Sequence, residues 1–243
     1  MTYRNVFKRF EIKYLLDRKQ KTELLRVMED HMELDRYGRD TIRNVYYDTK
    51  SCLLIRRSLD RPVYKEKLRV RSYERVNEDD NVFVEIKKKY EDIVYKRRIA
   101  IPEHQATDWL IGAADKPFDS QIANEIDYLI DFYGDLSPTC FISYEREAYK
   151  ERNGGSFRLT LDENILARCE ELSLTAGVWG TRLIDSDQTL MELKTEGGLP
   201  LWMVRYLSAN HVAKISFSKY GTAYKTMIFP QLNNKTIGGL KYA

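Results

Sequence analysis

The segment KLRVRSYE, residues 67–74, alternates charged and apolar side chains. Successive side chains of a β-strand point to opposite faces, so Lys67, Arg69 and Arg71 share one face while Leu68 and Val70 share the other. Three neighbouring cations repel one another and require an anion close to them. The pattern therefore predicts a strand with one apolar face and one face that binds an anion.

The same alternation recurs along the chain and predicts eight strands, over residues 5–16, 41–49, 63–74, 82–90, 93–101, 139–150, 157–165 and 189–196. Apolar residues at helical spacing predict helices over 18–33, around 122–133, from Pro200 to about Asn210, and over 221–229. Eight antiparallel strands commonly close into a barrel. We therefore expect an α+β fold, an eight-stranded antiparallel β-barrel with helices packed outside, formed by residues 1–243 as a single domain.

Six of these strands carry a charged or polar face: Arg9, Glu11 and Lys13; Lys67, Arg69 and Arg71; Glu85, Lys87 and Lys89; Tyr144 and Arg146; Arg158, Thr160 and Asp162; Glu192, Lys194 and Glu196. For any single strand, one solvated face of a sandwich is the simpler interpretation. Six strands with the same character favour a closed barrel whose charged faces point inward. Such a cationic channel suits a polyanion with a divalent metal, because Arg and Lys bind phosphate oxygens and carboxylates bind Mg²⁺ or Mn²⁺.

Composition narrows the classes of partner. The 243 residues carry a net charge of only +3, whereas a nucleic-acid-binding protein usually has a larger positive excess, so we expect no nucleic-acid partner. No apolar run approaches the roughly 20 residues of a membrane span, and the N-terminus does not resemble a signal peptide. Cys52, Cys140 and Cys169 are odd in number and far apart in the sequence, which predicts neither a zinc site nor a disulfide framework. We expect a cytoplasmic protein without a membrane span.

Eight short motifs occur in the order seen in a known family: FEIKYLL, IRNVYYDT, KLRVRSY, VFVEIKKK, SYEREAY, RLTLDENI, MELKT and FSKYG. In this order they resemble the VTC domain, the polyphosphate polymerase module of the vacuolar transporter chaperone complex and of many bacterial proteins. That domain belongs to the triphosphate tunnel metalloenzymes, the CYTH superfamily. The resemblance extends over residues 5–230. It implies an eight-stranded tunnel, phosphate chemistry and a divalent metal cofactor, Mn²⁺ or Mg²⁺.

The resemblance also implies roles for particular residues. The catalytic residues that bind the phosphates are Lys13, Arg69, Arg71, Lys87 and Arg146. The metal-binding carboxylate is Glu192 of MELK, with the substrate-binding Lys194 beside it, and Lys219 of FSKYG is placed at the tunnel mouth. Further substrate-binding candidates come from the count of strand faces: Arg43, Lys67, Glu85 and Arg158.

Near the N-terminus, tunnel triphosphatases carry an ExExK pattern. Here Arg9 replaces the first acid of that pattern, and Glu11, a candidate for substrate binding, and Lys13 remain. The predicted channel is thus poorer in carboxylates, which argues against a simple triphosphatase.

The expected function is that of a phosphotransferase, a polyphosphate polymerase that transfers the γ-phosphate of ATP onto a growing polyphosphate chain. Two alternatives remain open: hydrolysis of inorganic or nucleoside triphosphate in the same channel, and polyphosphate binding without turnover. The expected partners are ATP, triphosphate or polyphosphate. The chain lacks the SPX region and the membrane helices of the eukaryotic subunits, which leaves room for an unidentified membrane partner.

Overall fold

The computed structural model describes residues 10–60, 62–91 and 93–232. The described strands are β1 Phe10–Leu16, β2 Met32–Asp48, β3 Tyr64–Ser72, β4 Asn81–Tyr90, β5 Ile93–Pro102, β6 Ser137–Glu151, β7 Arg158–Arg168, β8 Thr181–Arg182, β9 Thr189–Thr195 and β10 Lys214–Ile215. The helices are α1 Arg18–Met28, α2 Leu53–Leu59, α3 Glu103–Leu110, α4 Gln121–Tyr133, α5 Leu201–Ala209 and α6 Lys219–Ala223, followed by a π-helical turn, Tyr224–Ile228. None of the helices in these ranges is long and apolar enough to cross a membrane.

The strands form one antiparallel sheet in the order β10-β1-β9-β7-β6-β2-β3-β4-β5, and β8 pairs with β7. The prediction of an antiparallel sheet with helices is confirmed, but the prediction of an eight-stranded closed barrel is wrong. The described sheet has ten strands and is not closed. The two additional strands, β8 and β10, are only two residues long, too short for an alternating pattern to reveal them.

The described residues group into two compact units. The first unit comprises residues 10–41, 144–165 and 184–217, and the second comprises residues 42–143, 166–183 and 218–232. Each unit has its own apolar core. In the first, the apolar faces of β1, β7 and β9 pack with α1 and α5. In the second, the apolar faces of β3, β4 and β5 pack with α3 and α4. That residues 1–243 form a single domain stays a prediction.

The predicted helix at 18–33 is too long. Helix α1 begins after Asp17, whose side chain accepts a hydrogen bond from the Gln20 backbone N–H, and it ends at Met28. Strand β2 begins at Met32, nine residues before the predicted start of that strand at 41. Met28 and Met32 both lie in the core of the first unit. Their four-residue spacing therefore fits a helix as well as it fits a turn that leads into a strand.

Two short helices, α2 and α3, were not predicted, since seven and eight residues give little periodicity. Helix α4 confirms the prediction around 122–133 and ends at Gly134, whose φ of 71° is accessible to glycine. The final predicted helix, 221–229, is α6 and the π-helical turn. The three cysteines lie within the second unit, where the Cys140 and Cys169 side chains hydrogen-bond to each other. Their distance along the sequence was therefore a poor guide to their distance in space.

Candidate functional site

In the second unit, the pairing of β3, β4 and β5 gathers cations on one face of the sheet. Lys65 lies opposite Lys89, Lys67 opposite Lys87, and Lys87 opposite Lys96. Directly opposite residues of antiparallel strands share a face, so eight cations line it: Lys65, Lys67, Arg69, Arg71, Lys87, Lys89, Lys96 and Arg98. Along these three strands, Glu85 is the acidic residue of that face. We call this surface the cationic face.

Glu85 lies at the centre of the cationic face and is 1% exposed. Its Oε2 is 2.7 Å from Arg69 Nη2 and 3.9 Å from Arg71 Nε, and its Oε1 is 2.7 Å from Lys96 Nζ. Burial alone would raise the pKa of the Glu85 carboxyl, but the three cations outweigh burial and lower this pKa to about 2. Glu85 is therefore ionised at neutral pH and neutralises part of the charge of Arg69 and Arg71.

Lys96 is a member of the cationic face that the sequence analysis did not select. The pKa of its ammonium is lowered to about 8, because burial lowers it more than the nearby Glu85 carboxylate raises it, and Arg71 and Arg69 lower it as well. A lysine with this pKa is mostly charged at neutral pH and loses its proton as the pH rises through about 8. The alternation of IVYKRRIAI places Lys96 and Arg98 on one face of β5. Combined with the short turn after β4, this alternation could have identified both residues.

A series of side-chain contacts that runs from Arg69 through Tyr46 and Tyr220 to Asp48 holds Arg69 in place. Its Nη1 donates to the Tyr46 hydroxyl at 3.1 Å, and the Tyr46 ring stacks on Tyr220 with 4.6 Å between ring centroids. The Tyr220 hydroxyl donates to Asp48 Oδ2 at 2.9 Å. Asp48 also accepts hydrogen bonds from the backbone N–H groups of Thr49, Leu54 and Ile55. The guanidinium of Arg69 is thus oriented by packing rather than by solvent.

Arg71 is held in the same way, while Arg43 is not part of the cationic face. Arg71 Nε donates to Asn44 Oδ1 at 3.0 Å, and Asn44 in turn donates to the Ile142 carbonyl. Arg43 is the neighbour of Asn44 along β2, lies opposite Ser72, and projects to the other face. There it donates to the Ala176 carbonyl at 3.1 Å. Grouping Arg43 with Arg69 and Arg71 as lining residues is therefore wrong; a count that started at Asn44 would have excluded it.

Lys67, Lys87 and Lys219 also lie in the second unit. Lys67 Nζ donates to Ser218 Oγ at 3.1 Å, and Ser218 caps the helix α6 that begins at Lys219. Lys87 is half-buried between Lys67 and Lys96 in the pairing of the strands. Like charges directly opposite each other are unfavourable, so the pairing of these strands by itself brings mutually repelling ammonium groups close together.

In the first unit, the pairing of β1, β9 and β7 brings together five of the candidate residues and Thr160. Lys13 and Thr160 both lie opposite Glu192, and Glu11 and Arg158 both lie opposite Lys194. The structure thus places Glu11, Lys13, Arg158, Glu192 and Lys194 on one face, and their roles stay a prediction. We call this second surface the mixed face, because it carries both cations and carboxylates.

Glu192 is the buried carboxylate of the mixed face. Its Oε1 is 3.0 Å from Lys194 Nζ and its Oε2 is 3.6 Å from Lys13 Nζ, which also donates to the Phe217 carbonyl. The Thr160 hydroxyl across from Glu192 is buried and has no hydrogen-bond partner among the described residues. Within the described ranges, no group of three or more His, Cys, Asp and Glu side chains could hold a metal. Glu192 and Thr160 place a carboxylate and a hydroxyl opposite each other, and oxygen atoms of this kind are the ligands that Mg²⁺ and Mn²⁺ prefer.

Arg146 belongs to the first unit and is paired within it. Its Nε and Nη2 donate to the two carboxylate oxygens of Asp162 at 2.6 and 2.7 Å. Burial alone would lower the pKa of the Arg146 guanidinium, but Asp162, Tyr144 and Glu192 raise it well above its usual value. This bidentate pair fixes the orientation of Arg146.

The fold and these two faces define a class of protein, an antiparallel α+β protein whose strand faces carry clusters of charged side chains. The chain belongs to the VTC domain family, whose profile matches residues 8–228. The resemblance stated from the sequence is thereby confirmed. Comparison with curated protein sequences gives no match.

The solved structures that are similar to this chain include the following two. The first is a candidate adenylate cyclase from Bacillus halodurans, with a TM-score of 0.55 and 13% identity over 88% of this chain and 94% of that chain. This likeness supports the fold. The second is a candidate adenylyl cyclase from Hippeastrum, described as having a dominant triphosphatase activity. Its TM-score is 0.46 and its identity 16%, over 89% of this chain and 94% of that chain.

Proposed function

We propose that the protein is a polyphosphate polymerase that transfers the γ-phosphate of ATP onto a polyphosphate chain. Membership of the VTC domain family supports a polyphosphate-related or triphosphatase activity. The observation that carries the proposal is the cationic face, where eight Lys and Arg side chains accompany the single carboxylate of Glu85. That excess of charge suits a ligand with several negative charges, and a chain of phosphates is such a ligand.

Phosphoryl transfer depends on the positioning of the reactants and on charge neutralisation, and it needs no protein nucleophile. Arg69 and Arg71 are oriented by Tyr46, Asn44 and Glu85, so their guanidinium groups are held in place and would bind phosphate oxygens with little reorganisation. Lys87 and Lys96 add point charges beside them. An oxygen of the terminal phosphate of the growing chain would attack the γ-phosphorus of ATP. The bond from that phosphorus to the β–γ bridging oxygen would break and ADP would leave, so no serine or cysteine nucleophile is needed.

In the first unit, Glu192 and the Thr160 hydroxyl would hold a divalent cation, Mn²⁺ or Mg²⁺. When bound, such an ion neutralises phosphate oxygens and polarises the phosphorus–oxygen bonds. Glu192 is paired with Lys13 and Lys194. When the ion and the phosphates bind, the two lysines would exchange the Glu192 carboxylate for phosphate oxygens, and the carboxylate would bind the ion. The Arg146–Asp162 pair keeps a further guanidinium fixed on the same mixed face.

The test is incubation of the purified protein with γ-labelled ATP and Mn²⁺, followed by separation of the products on a gel. A ladder of long product supports the polymerase. Free phosphate without polymer identifies a triphosphatase, and tight binding of polyphosphate without turnover identifies a binding module; either result contradicts the proposal.

Two neighbouring lysines of β4 provide a matched pair of variants. Lys87→Ala removes a charge from the cationic face, and we expect turnover to fall roughly 10- to 100-fold, the worth of one hydrogen bond to a charged group. Lys88→Ala removes a charge from the opposite face, where Lys88 pairs with Glu125 at 3.5 Å, and should leave turnover unchanged. Equal losses in both variants would show that net charge matters and the cationic face does not.

A further inference from the structure

An aromatic cluster lies at one end of the cationic face. The rings of Tyr73 and Phe83 meet at 83°, with 5.7 Å between their centroids. The Arg98 guanidinium lies over the Phe83 ring at 4.5 Å, and its Nη1 is 3.5 Å from the Tyr73 hydroxyl. We call Tyr73, Phe83 and Arg98 the aromatic corner. Its position at the surface, rather than in a core, is what requires explanation.

The aromatic corner is accessible from solvent. Tyr73 is 39% exposed, Phe83 is half-buried and Arg98 is exposed. None of the three belongs to the apolar core of the second unit, which lies on the opposite face of these strands. A flat group can stack on an exposed aromatic ring such as that of Tyr73, and the Arg98 guanidinium over Phe83 adds a cationic plane beside it. The corner is thus a surface for a planar, electron-rich ligand group.

The aromatic corner continues directly into the phosphate-binding side chains. Phe83 lies opposite Arg71, and Glu85, the next residue on the same face, lies opposite both Arg69 and Arg98. One step along a face is two residues, or roughly 7 Å at the rise of an antiparallel strand. A ligand that stacked on the corner would therefore place a group one or two steps away among Arg69, Arg71 and Lys96.

We propose that the aromatic corner binds the purine ring of a nucleoside triphosphate whose phosphates lie on the adjacent cationic face. The inference rests on the proposed function and specifies its donor: the site selects a nucleotide over inorganic triphosphate because the base adds stacking. Stacking on an aromatic ring tolerates either purine, because every base has a π-face. ATP and GTP should therefore bind with similar affinity.

Calorimetric titration of the full chain with ATP, GTP and inorganic triphosphate tests the inference. Stacking of one base increases affinity by a factor of about 5 to 150. We therefore expect ATP and GTP to bind more tightly than inorganic triphosphate by a factor in that range. Tyr73→Ala should remove most of this advantage and leave triphosphate affinity within about twofold. Tyr73→Phe, which keeps the ring, should retain the advantage.

Tyr95→Ala is the matched control. Tyr95 is a 42%-exposed tyrosine that lies opposite Lys88, on the other face of the same strands, and its loss should change no affinity. Two results would show that the aromatic corner does not bind the base while leaving the proposed phosphate site intact. In the first, inorganic triphosphate binds the unmodified protein as tightly as ATP does. In the second, Tyr73→Ala weakens the binding of ATP and of triphosphate equally. If the unmodified protein binds neither ligand, the proposed function fails and the base site fails with it.

Discussion

Replacement of Glu85 by glutamine tests how the cationic face is held together. The Glu85→Gln change keeps the size of the side chain and removes the charge that Arg69, Arg71 and Lys96 share. The group is fully buried, so solvent does little to screen the loss. We expect the variant to fold, to be less stable without ligand, and to regain stability when a polyanion supplies the missing charge.

The size of the effect follows from the pKa of Glu85, which the three cations, against the effect of burial, bring from 4.5 to about 2. At about 1.4 kcal/mol for each tenfold change in an equilibrium constant, this corresponds to about 3 kcal/mol of stabilisation of the ionised carboxylate in the fold. The value lies at the lower end of the roughly 3–5 kcal/mol that breaking a buried ion pair costs. For a chain of this size, a loss of about 3 kcal/mol lowers the melting temperature by roughly 6–12 °C.

The dependence on pH has a definite sign. The folded-state pKa lies below the unfolded value, so the stabilisation is complete above about pH 4.5 and is lost as the pH falls towards 2. The gap in melting temperature between the protein and Glu85→Gln should therefore be largest near neutral pH and should narrow as the pH falls below 4.5. Saturating inorganic triphosphate at about pH 7 should raise the melting temperature of the variant more than that of the unmodified protein.

Thermal melts followed by circular dichroism between about pH 7 and pH 3 measure both effects. Glu78→Gln, at an exposed position in the loop between β3 and β4, makes the same change in net charge and should leave the melting temperature within about 2 °C, as surface substitutions usually do. A Glu85→Gln protein as stable as the original at neutral pH would refute the reasoning. So would a gap between the two proteins that does not change with acidification.

Two further predictions concern the proposed metal ligand Glu192 and the cationic-face residue Lys96. Glu192→Gln should raise the Mn²⁺ concentration needed for half-maximal turnover roughly tenfold or more, because a metal site with few carboxylates depends on each one. The circular dichroism spectrum should stay the same. Unchanged turnover at ordinary Mn²⁺ would exclude Glu192 as the ligand. Affinity for inorganic triphosphate should fall as the pH rises through 8, since Lys96, with a pKa of about 8, loses its charge there, and Lys96→Arg should flatten this dependence in calorimetry. An identical pH profile for Lys96→Arg would assign the titration to another group.

The faces of the strands could be predicted from the sequence because the side-chain period of a strand is fixed by its backbone geometry. Once Lys67, Arg69 and Arg71 were placed on a strand, their shared face followed without any knowledge of the fold. The partners across the sheet did not follow, because pairing depends on long-range order. Glu85 was therefore only a candidate lining residue, whereas the structure shows it to be the internal anion that Arg69 and Arg71 require.

Closure of the sheet and the position of Arg43 were predicted wrongly for physical reasons. A count of strands says nothing about whether the first and last strands meet, and here the order runs from β10 to β5 without closing. Arg43 lies next to Asn44 in a strand whose neighbouring residues Val45 and Tyr47 are buried in the core. A buried arginine on an apolar face is unusual, and alternation counted from the apolar residues would have placed it correctly.

The opposition of Lys67, Lys87 and Lys96 across β3, β4 and β5 also bears on the rate at which the chain folds. These strands follow one another in the sequence and are joined by short connections, so their pairing has a low contact order and can form early. Each pairing step then brings ammonium groups together before the rest of the protein is in place to compensate for them. A multivalent anion that bridged these lysines during assembly would reduce this repulsion and so lower the barrier to folding. The polyanion proposed as ligand of the folded protein would thus also act as a template on which its strands pair.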